Sequence, residues 1–286
     1  MKTSRKFQYF SIALIWIWLA VFALVPNILV LMTSLLAQTA DIDFVRLQLT
    51  LGNYTHLINS AYLKIFLHSF SLAGSVTLFC LILGYPFAYI LSRMKHQYKA
   101  LLLLLVIIPF WTSSLIRTYA IVILLKAKGV FNHFLLFLGL IDKPLQLLYT
   151  NTAVLTALVY TLLPFMILPL YATIEKLDMR LLDAAQDLGA SKLRMFFQII
   201  LPLTWSGIIA GSMLVFLPAM TLFYIPDLLG GAKSMLVGNL IENQFLAAQN
   251  WPLGAAVSVF LTLLMALLLL IYWYTTRGNK EERQFL

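Results

Sequence analysis

Outside its first connector, the longest polar and charged interval of this sequence is Asp183 to Pro202, Asp-Ala-Ala-Gln-Asp-Leu-Gly-Ala-Ser-Lys-Leu-Arg-Met-Phe-Phe-Gln-Ile-Ile-Leu-Pro. Small residues at Ala184, Ala185, Gly189 and Ala190 let a second backbone come close, and Leu181, Leu188 and Phe196 add apolar anchors at roughly helical spacing. Residues of these types suit docking. The residues of catalytic chemistry are sparse: four His stand at positions 56, 68, 96 and 133 without a His-Glu-x-x-His pattern, and Cys80 has no second Cys to join it. Gly230-Gly231-Ala232-Lys233-Ser234 has part of the outline of a phosphate loop, but that motif needs Gly directly before its Lys. It reads as a turn. No catalytic residue, metal ligand set or cofactor site follows from these patterns, and an enzyme is not expected.

The elements that must hold the Asp183 stretch are set by composition. Hydrophobic residues make up 62% and charged residues 11%, with a mean hydropathy of +0.91, whereas soluble domains carry about 25% charged residues. The apolar residues come in blocks of twenty or more, and a helix needs about 20 such residues to cross a hydrocarbon core of roughly 30 Å. An all-α integral membrane bundle is expected, not a barrel of short alternating strands. The net charge of +9 belongs to connectors between spans, where Lys and Arg set orientation and meet anionic lipid headgroups. Nucleic acid is not an expected partner.

Six spans follow in order, at about 10–36, 65–91, 101–125, 149–174, 197–225 and 252–274. The third contains Pro109 and then a polar patch, Thr112, Ser113, Ser114 and Arg117, that should avoid lipid. The fifth carries Gly207 and Gly211 four apart, a face for close helix packing. Two apolar pieces, 131–140 and 235–246, are too short to span; the first suits a re-entrant or interfacial helix, the second a membrane-surface helix. Asn53-Tyr54-Thr55 is a formal glycosylation sequon and carries no weight. With six spans, 13 Lys and Arg fall on the side of both termini and the Asp183 stretch, against 7 on the other. The excess predicts that both termini and that stretch are cytoplasmic. Residues 1–286 then form a single transmembrane domain, with 176–201 as a cytoplasmic loop inside it.

The spacing in this loop, Asp183-Ala184-Ala185, Gly189 and then Ile199-x-Leu201-Pro202 with Phe196 between, resembles the coupling loop of binding-protein-dependent ABC importer permeases. That family writes Glu-Ala-Ala, three residues, Gly, nine residues, Ile-x-Leu-Pro; the one departure is Asp183, which keeps the charge and shortens the side chain by a methylene. The resemblance implies a type I importer fold. It also assigns Asp183, Ala184, Ala185, Gly189, Phe196, Leu201 and Pro202 to contact with a separate ATPase subunit.

Further stretches, Gly52-Asn53-Tyr54, Pro109 to Arg117, Leu163-Pro164-Phe165-Met166, Ile174 to Asp178 and Phe223 to Gly231, resemble the B-type permease subunits of bacterial spermidine/putrescine importers. Pro226 stands where that branch has Ser. The resemblance implies a multi-pass protein of the bacterial inner membrane, working with a homologous second permease subunit, two ATPase subunits that bind ATP and Mg, and a periplasmic polyamine-binding protein. A polyamine carries ammonium groups on an apolar stem, so its path should offer carboxylates and aromatic faces, the latter worth about 0.5 to 2 kcal/mol each. Trp111, Tyr119, Tyr160, Tyr224 and Asp227 are the candidates, with packing or interfacial anchoring as the alternative role of each. Arg117 is awkward for a cation path and should pair with a carboxylate or face the partner subunit. Other small cationic or polar solutes remain alternatives, as does a secondary transporter, which would show an inverted repeat and buried ionisable residues near the midplane.

Overall fold

The computed structural model describes residues 5–38, 45–231 and 234–282. Lys2, Lys233 and Arg283 of the charge count, and Asp41 and Asp43 of the first connector, lie outside the described residues. Among the described residues the regular structure is helical apart from one short hairpin. Helix α1 runs over 5–34, with a wide turn at Ala20–Leu24, and strands β1 (Leu36–Gln38) and β2 (Val45–Leu49) pair antiparallel after it. There follow α2 (Gly52–Leu57), α3 (Ser60–Arg93), α4 (His96–Ile107), a tight turn Ile108–Trp111, α5 (Ser114–Leu125), α6 (Val130–Phe137) and α7 (Asn151–Ile174). Next come α8 (Met179–Asp187), α9 (Lys192–Met195, leading through a wide turn Phe196–Ile200 into Leu201–Leu203), α10 (Trp205–Thr221), α11 (Tyr224–Leu229), α12 (Val237–Glu242) and α13 (Trp251–Glu282).

Five helices are long and apolar enough to cross a membrane: Ser11–Ser34, Ser60–Arg93, Ser114–Phe137 read through its turn at 126–129, Asn151–Ile174 and Trp251–Trp273. Lys192–Leu203 with Trp205–Thr221, bent by 66°, makes a sixth. Two expectations need correction. The third span is not continuous over 101–125: it breaks at Thr112 and Ser113, whose backbone is extended. Pro109 lacks an N–H and cannot continue the α ladder, so the chain tightens into one narrow turn there and starts again at Ser114. The piece at 131–140 does not stand alone either: up to Phe137 it ends the apolar stretch Ser114–Phe137, which is long enough to cross a membrane. At 235–246, Leu236, Val237 and Leu240 are buried and Leu246 is 72% exposed.

Two compact units compose the described chain. In the first, Asn53 joins the end of α1 to β1: its Nδ2 donates to Ser34 O (2.9 Å) and Leu36 O (2.8 Å), and the Ser34 and Tyr54 hydroxyls share a hydrogen bond of 2.7 Å. The Asn53 amide is buried and spent on carbonyls, which explains the sequon without any sugar.

The second unit is built around α7. Its residues Val154, Leu158, Leu162, Met166, Leu170 and Ile174 recur every fourth position and are all essentially inaccessible, so they form one ridge along the helix. On α10 the same spacing carries small residues, Gly207, Gly211, Val215 and Ala219, also buried. The two run antiparallel: a Cβ at Gly207 would collide with Thr173, and one at Gly211 would lie 2.8 Å from Met166 Sδ. On α3, a Cβ at Gly84 would lie 3.1 Å from Met166 Cγ, and the Cys80 thiol donates to Val159 O (3.7 Å). Lys99 Nζ donates to Glu175 Oε1 at 3.0 Å, so the start of α4 and the end of α7 lie at the same end of this unit.

Gly211→Leu is expected to force α10 off Met166, at about 1 to 3 kcal/mol or more, and to lower the detergent-solubilised Tm; an unchanged Tm would mean that the α7–α10 contact tolerates the added volume. Asn53→Ala leaves two carbonyls without their donor and is expected to cost about 1 to 3 kcal/mol, read as a Tm loss in the same assay.

Candidate functional site

The segment from Asp178 to Thr204 is ordered by its own capping. Asp178 Oδ1 accepts from Arg180 N at 3.0 Å and starts α8. At the other end Gly189 N donates to Gln186 O (2.9 Å) and Ala190 N to Ala185 O (3.0 Å), a left-handed closure that needs positive φ at the residue after the cap. Gly189 supplies it, with φ +82. A Cβ there would meet nothing within 4 Å, so the position demands glycine for its backbone and not for space. Ser191 Oγ then accepts from Arg194 N (3.3 Å) and opens α9.

The proline of Ile-x-Leu-Pro explains the next turn. Pro202 cannot donate to the carbonyl four residues back, and its ring crowds that carbonyl; the wide turn Phe196–Ile200 just before it takes up the misfit. The chain bends again at Thr204, whose hydroxyl donates to Ile200 O (2.9 Å). That leaves the Tyr85 hydroxyl of α3, 2.9 Å away, as donor to Thr204. The Phe196 ring packs edge-on against Tyr85 at 5.6 Å.

These contacts sort the residues expected to couple to an ATPase. Asp183, Ala184, Gly189 and Pro202 lie on the open surface, Ala185 and Leu201 are half-buried, and Phe196 faces α3 as an anchor. Leu188 and Leu193 are 89% and 73% exposed. These large apolar side chains stand free in the same segment as the charged Asp183, Lys192 and Arg194. Leu193 escaped the sequence reading although its position just past the Ser191 cap would have flagged it.

The solute candidates sit on packed elements of the second unit. Trp111 ends the tight turn and is 77% exposed; Tyr119 lies on α5 and Tyr160 on α7, both about half exposed. Tyr160 and Arg117 line a cavity of about 810 Å³ between α5, α6 and α7, whose walls are otherwise mostly apolar. Tyr224 and Asp227 are one turn apart on α11, which packs against both α5 and α7. Four of the five candidates therefore sit on three touching helices, and Trp111 lies across the break before α5.

Asp227 is exposed, and its Oδ1 accepts from Asn239 Nδ2. Among the described residues no Lys, Arg or His pairs with it. Asn239 carried no sequence signal, because an amide in a connector looks like any other. The carboxylate expected for Arg117 is absent among the described residues: the guanidinium lies over the Phe110 ring (5.9 Å), and Phe110 packs edge-on against Phe165 (5.0 Å). The buried Arg117 Nε has no hydrogen-bond partner among the described residues, so the ring is the contact that the neighbouring helices give this cation. Ser234, at the end of the glycine turn, is 1% exposed, so its hydroxyl is closed to a nucleotide. Among the described residues no cluster of His, Cys, Asp or Glu could hold a metal ion.

Known proteins resemble this chain in sequence and in fold. The spermidine/putrescine transport system permease protein PotB of Escherichia coli is 54% identical over 260 residues, covering 91% of this chain and 94% of that protein. PotB of Salmonella typhimurium is 52% identical over 277 residues, covering 97% and 96%. A bacterial alginate ABC transporter, solved in complex with an alginate pentasaccharide-bound periplasmic protein, contains a chain that superposes with a TM-score of 0.77 at 17% identity, covering 96% of this chain and 94% of that one. Residues 81–277 match the model of the binding-protein-dependent transport system inner membrane component. With that match over the bundle and PotB-like sequence along nearly its whole length, the chain belongs to the family of binding-protein-dependent transport system inner membrane components.

Proposed function

We propose that this chain is one of two permease subunits of an ATP-driven importer of polyamines in the bacterial inner membrane. The observation that carries the reading is the capped segment Asp178–Thr204, which leaves Leu188 and Leu193 uncovered while fastening itself to α3 through Phe196 and Tyr85. The PotB relatives supply the substrate class, since they are named for spermidine and putrescine. A separate pair of ATPase subunits binds ATP and Mg and docks on Asp183, Ala184, Ala185, Gly189, Leu201 and Pro202, on the cytoplasmic side where both termini also lie. A periplasmic polyamine-binding protein delivers the solute, and a homologous second permease completes the path.

The mechanism follows from linkage. A nucleotide shifts a conformational equilibrium only through differential contact with its two states, and the docking segment is where this chain meets the nucleotide-binding partner. Movement there reaches α10 through the bend at Thr204 and α3 through Tyr85. Along the path, Asp227 supplies charge to an ammonium group, and Trp111, Tyr119, Tyr160 and Tyr224 supply aromatic faces. Another small cationic solute would use the same groups; competition of unlabelled amines with labelled spermidine ranks the substrates.

Two outcomes test the reading. Gly189→Val places a β-branched residue at φ +82, where a Cβ costs about 1 to 2 kcal/mol. It is expected to abolish uptake and the ATPase stimulation by loaded binding protein while leaving the membrane level of the chain unchanged; normal ATP-driven uptake would remove the docking assignment. Asp227→Asn is expected to raise the spermidine concentration for half-maximal uptake by about tenfold, and unaltered radiolabelled transport would take Asp227 out of the path.

A further inference from the structure

Asn239 is 5% exposed and uses its whole amide. Its Oδ1 accepts from Leu236 N (3.1 Å), and its Nδ2 donates both to Phe223 O (2.8 Å) and to Asp227 Oδ1. The backbone beneath it is fixed on two sides. Val237 N donates to Ser69 Oγ (2.9 Å), whose own proton goes to Ile65 O (2.8 Å) on α3. Gly238 lies so close to the end of α10 that a Cβ would stand 2.7 Å from Thr221 C. Position 239 is thus tied to α3 and α10, and through it the carboxylate of Asp227 is tied to both.

The kind of donor matters as much as its place. A Lys or Arg at this position would hold the carboxylate equally well and cancel its charge. A neutral amide orients one oxygen and leaves the negative charge in place, while Asp227 Oδ2 has no partner among the described residues. Asp227 stands at the protein surface of α11, where a cation can reach it.

Building on the assignment of Asp227 to the cation path, we infer that Asn239 is its positioning residue: the Asn239 amide fixes one oxygen of the Asp227 carboxylate and presents the other, uncompensated, to an ammonium group of the solute. Asn239 does not touch the solute, and it gives the site its preference for cations by what it withholds, a positive charge.

The test uses the complete importer in proteoliposomes with spermidine-loaded binding protein, reading half-saturation and spermidine imported per ATP hydrolysed. Asn239→Ala is expected to raise half-saturation about tenfold and to lower spermidine per ATP, with ATP hydrolysis retained. A purely structural role would lower uptake and hydrolysis together, and that result overturns the inference. Combined with Asp227→Asn, the Asn239→Ala change is expected to add nothing, because both remove one interaction; factors that multiply overturn it. Should Asn239→Ala fail to reach the membrane, Asn239→Ser enters the same cycle, since its hydroxyl still offers an oxygen to Leu236 N but is too short to reach Asp227. An unchanged half-saturation in Asp227→Asn alone removes Asp227 from the path and the inference with it, whereas a raised value with multiplying factors removes only Asn239.

Discussion

Met166 is the contact on which the second unit depends. It is wholly buried in the middle of α7, with Gly84 of α3 on one side and Gly211 of α10 on the other, each close enough that an added Cβ would press on its side chain. Lipid tails are as apolar as the helices they surround, so no hydrophobic force holds such helices together; close van der Waals fit does. Two glycines bring the backbones in, and a flexible thioether fills the irregular gap that remains. The choice of residues is reciprocal, because a larger residue at either glycine or a branched one at 166 would part the three helices.

Two of these helices, α3 and α10, also meet the segment Asp178–Thr204 and Asn239. α3 supplies Tyr85 beside the docking segment and Ser69 beside Asn239. α10 starts at the bend after Thr204 and ends against Gly238, and its 17 residues make a strut of about 25 Å at 1.5 Å per residue. The segment Asp178–Thr204 and the Asp227 carboxylate are therefore joined to opposite ends of one helix.

Much of this was legible in the residues. A span is a one-dimensional signal, so the blocks at 65–91 and 149–174 match helices Ser60–Arg93 and Asn151–Ile174 to within a few residues. Gly207 and Gly211 announced a close helix pair, and it is the most extensive one in the unit. The segment Asp183–Pro202 was legible because its small residues and the spacing of Asp183, Gly189, Leu201 and Pro202 are local in sequence. What escaped depends on partners far along the chain. Pro109 is tolerated in many spans, so the break at Thr112 could not be told from a kink. Arg117 was expected against a carboxylate or the partner subunit, and within this chain the fold offers it the Phe110 ring. Asn239 acquires its meaning only once Phe223, Asp227 and Leu236 are folded around it.

The lone Cys80 is fully buried in α3 against Val159. A chain with one thiol, and that one sealed away from reagents, is a natural blank for site-directed chemistry. Cysteines introduced at Leu188, Leu193 or Trp111 would carry cross-linkers, spin labels or fluorophores without prior removal of a native thiol, and the α3–α7 packing would stay intact throughout.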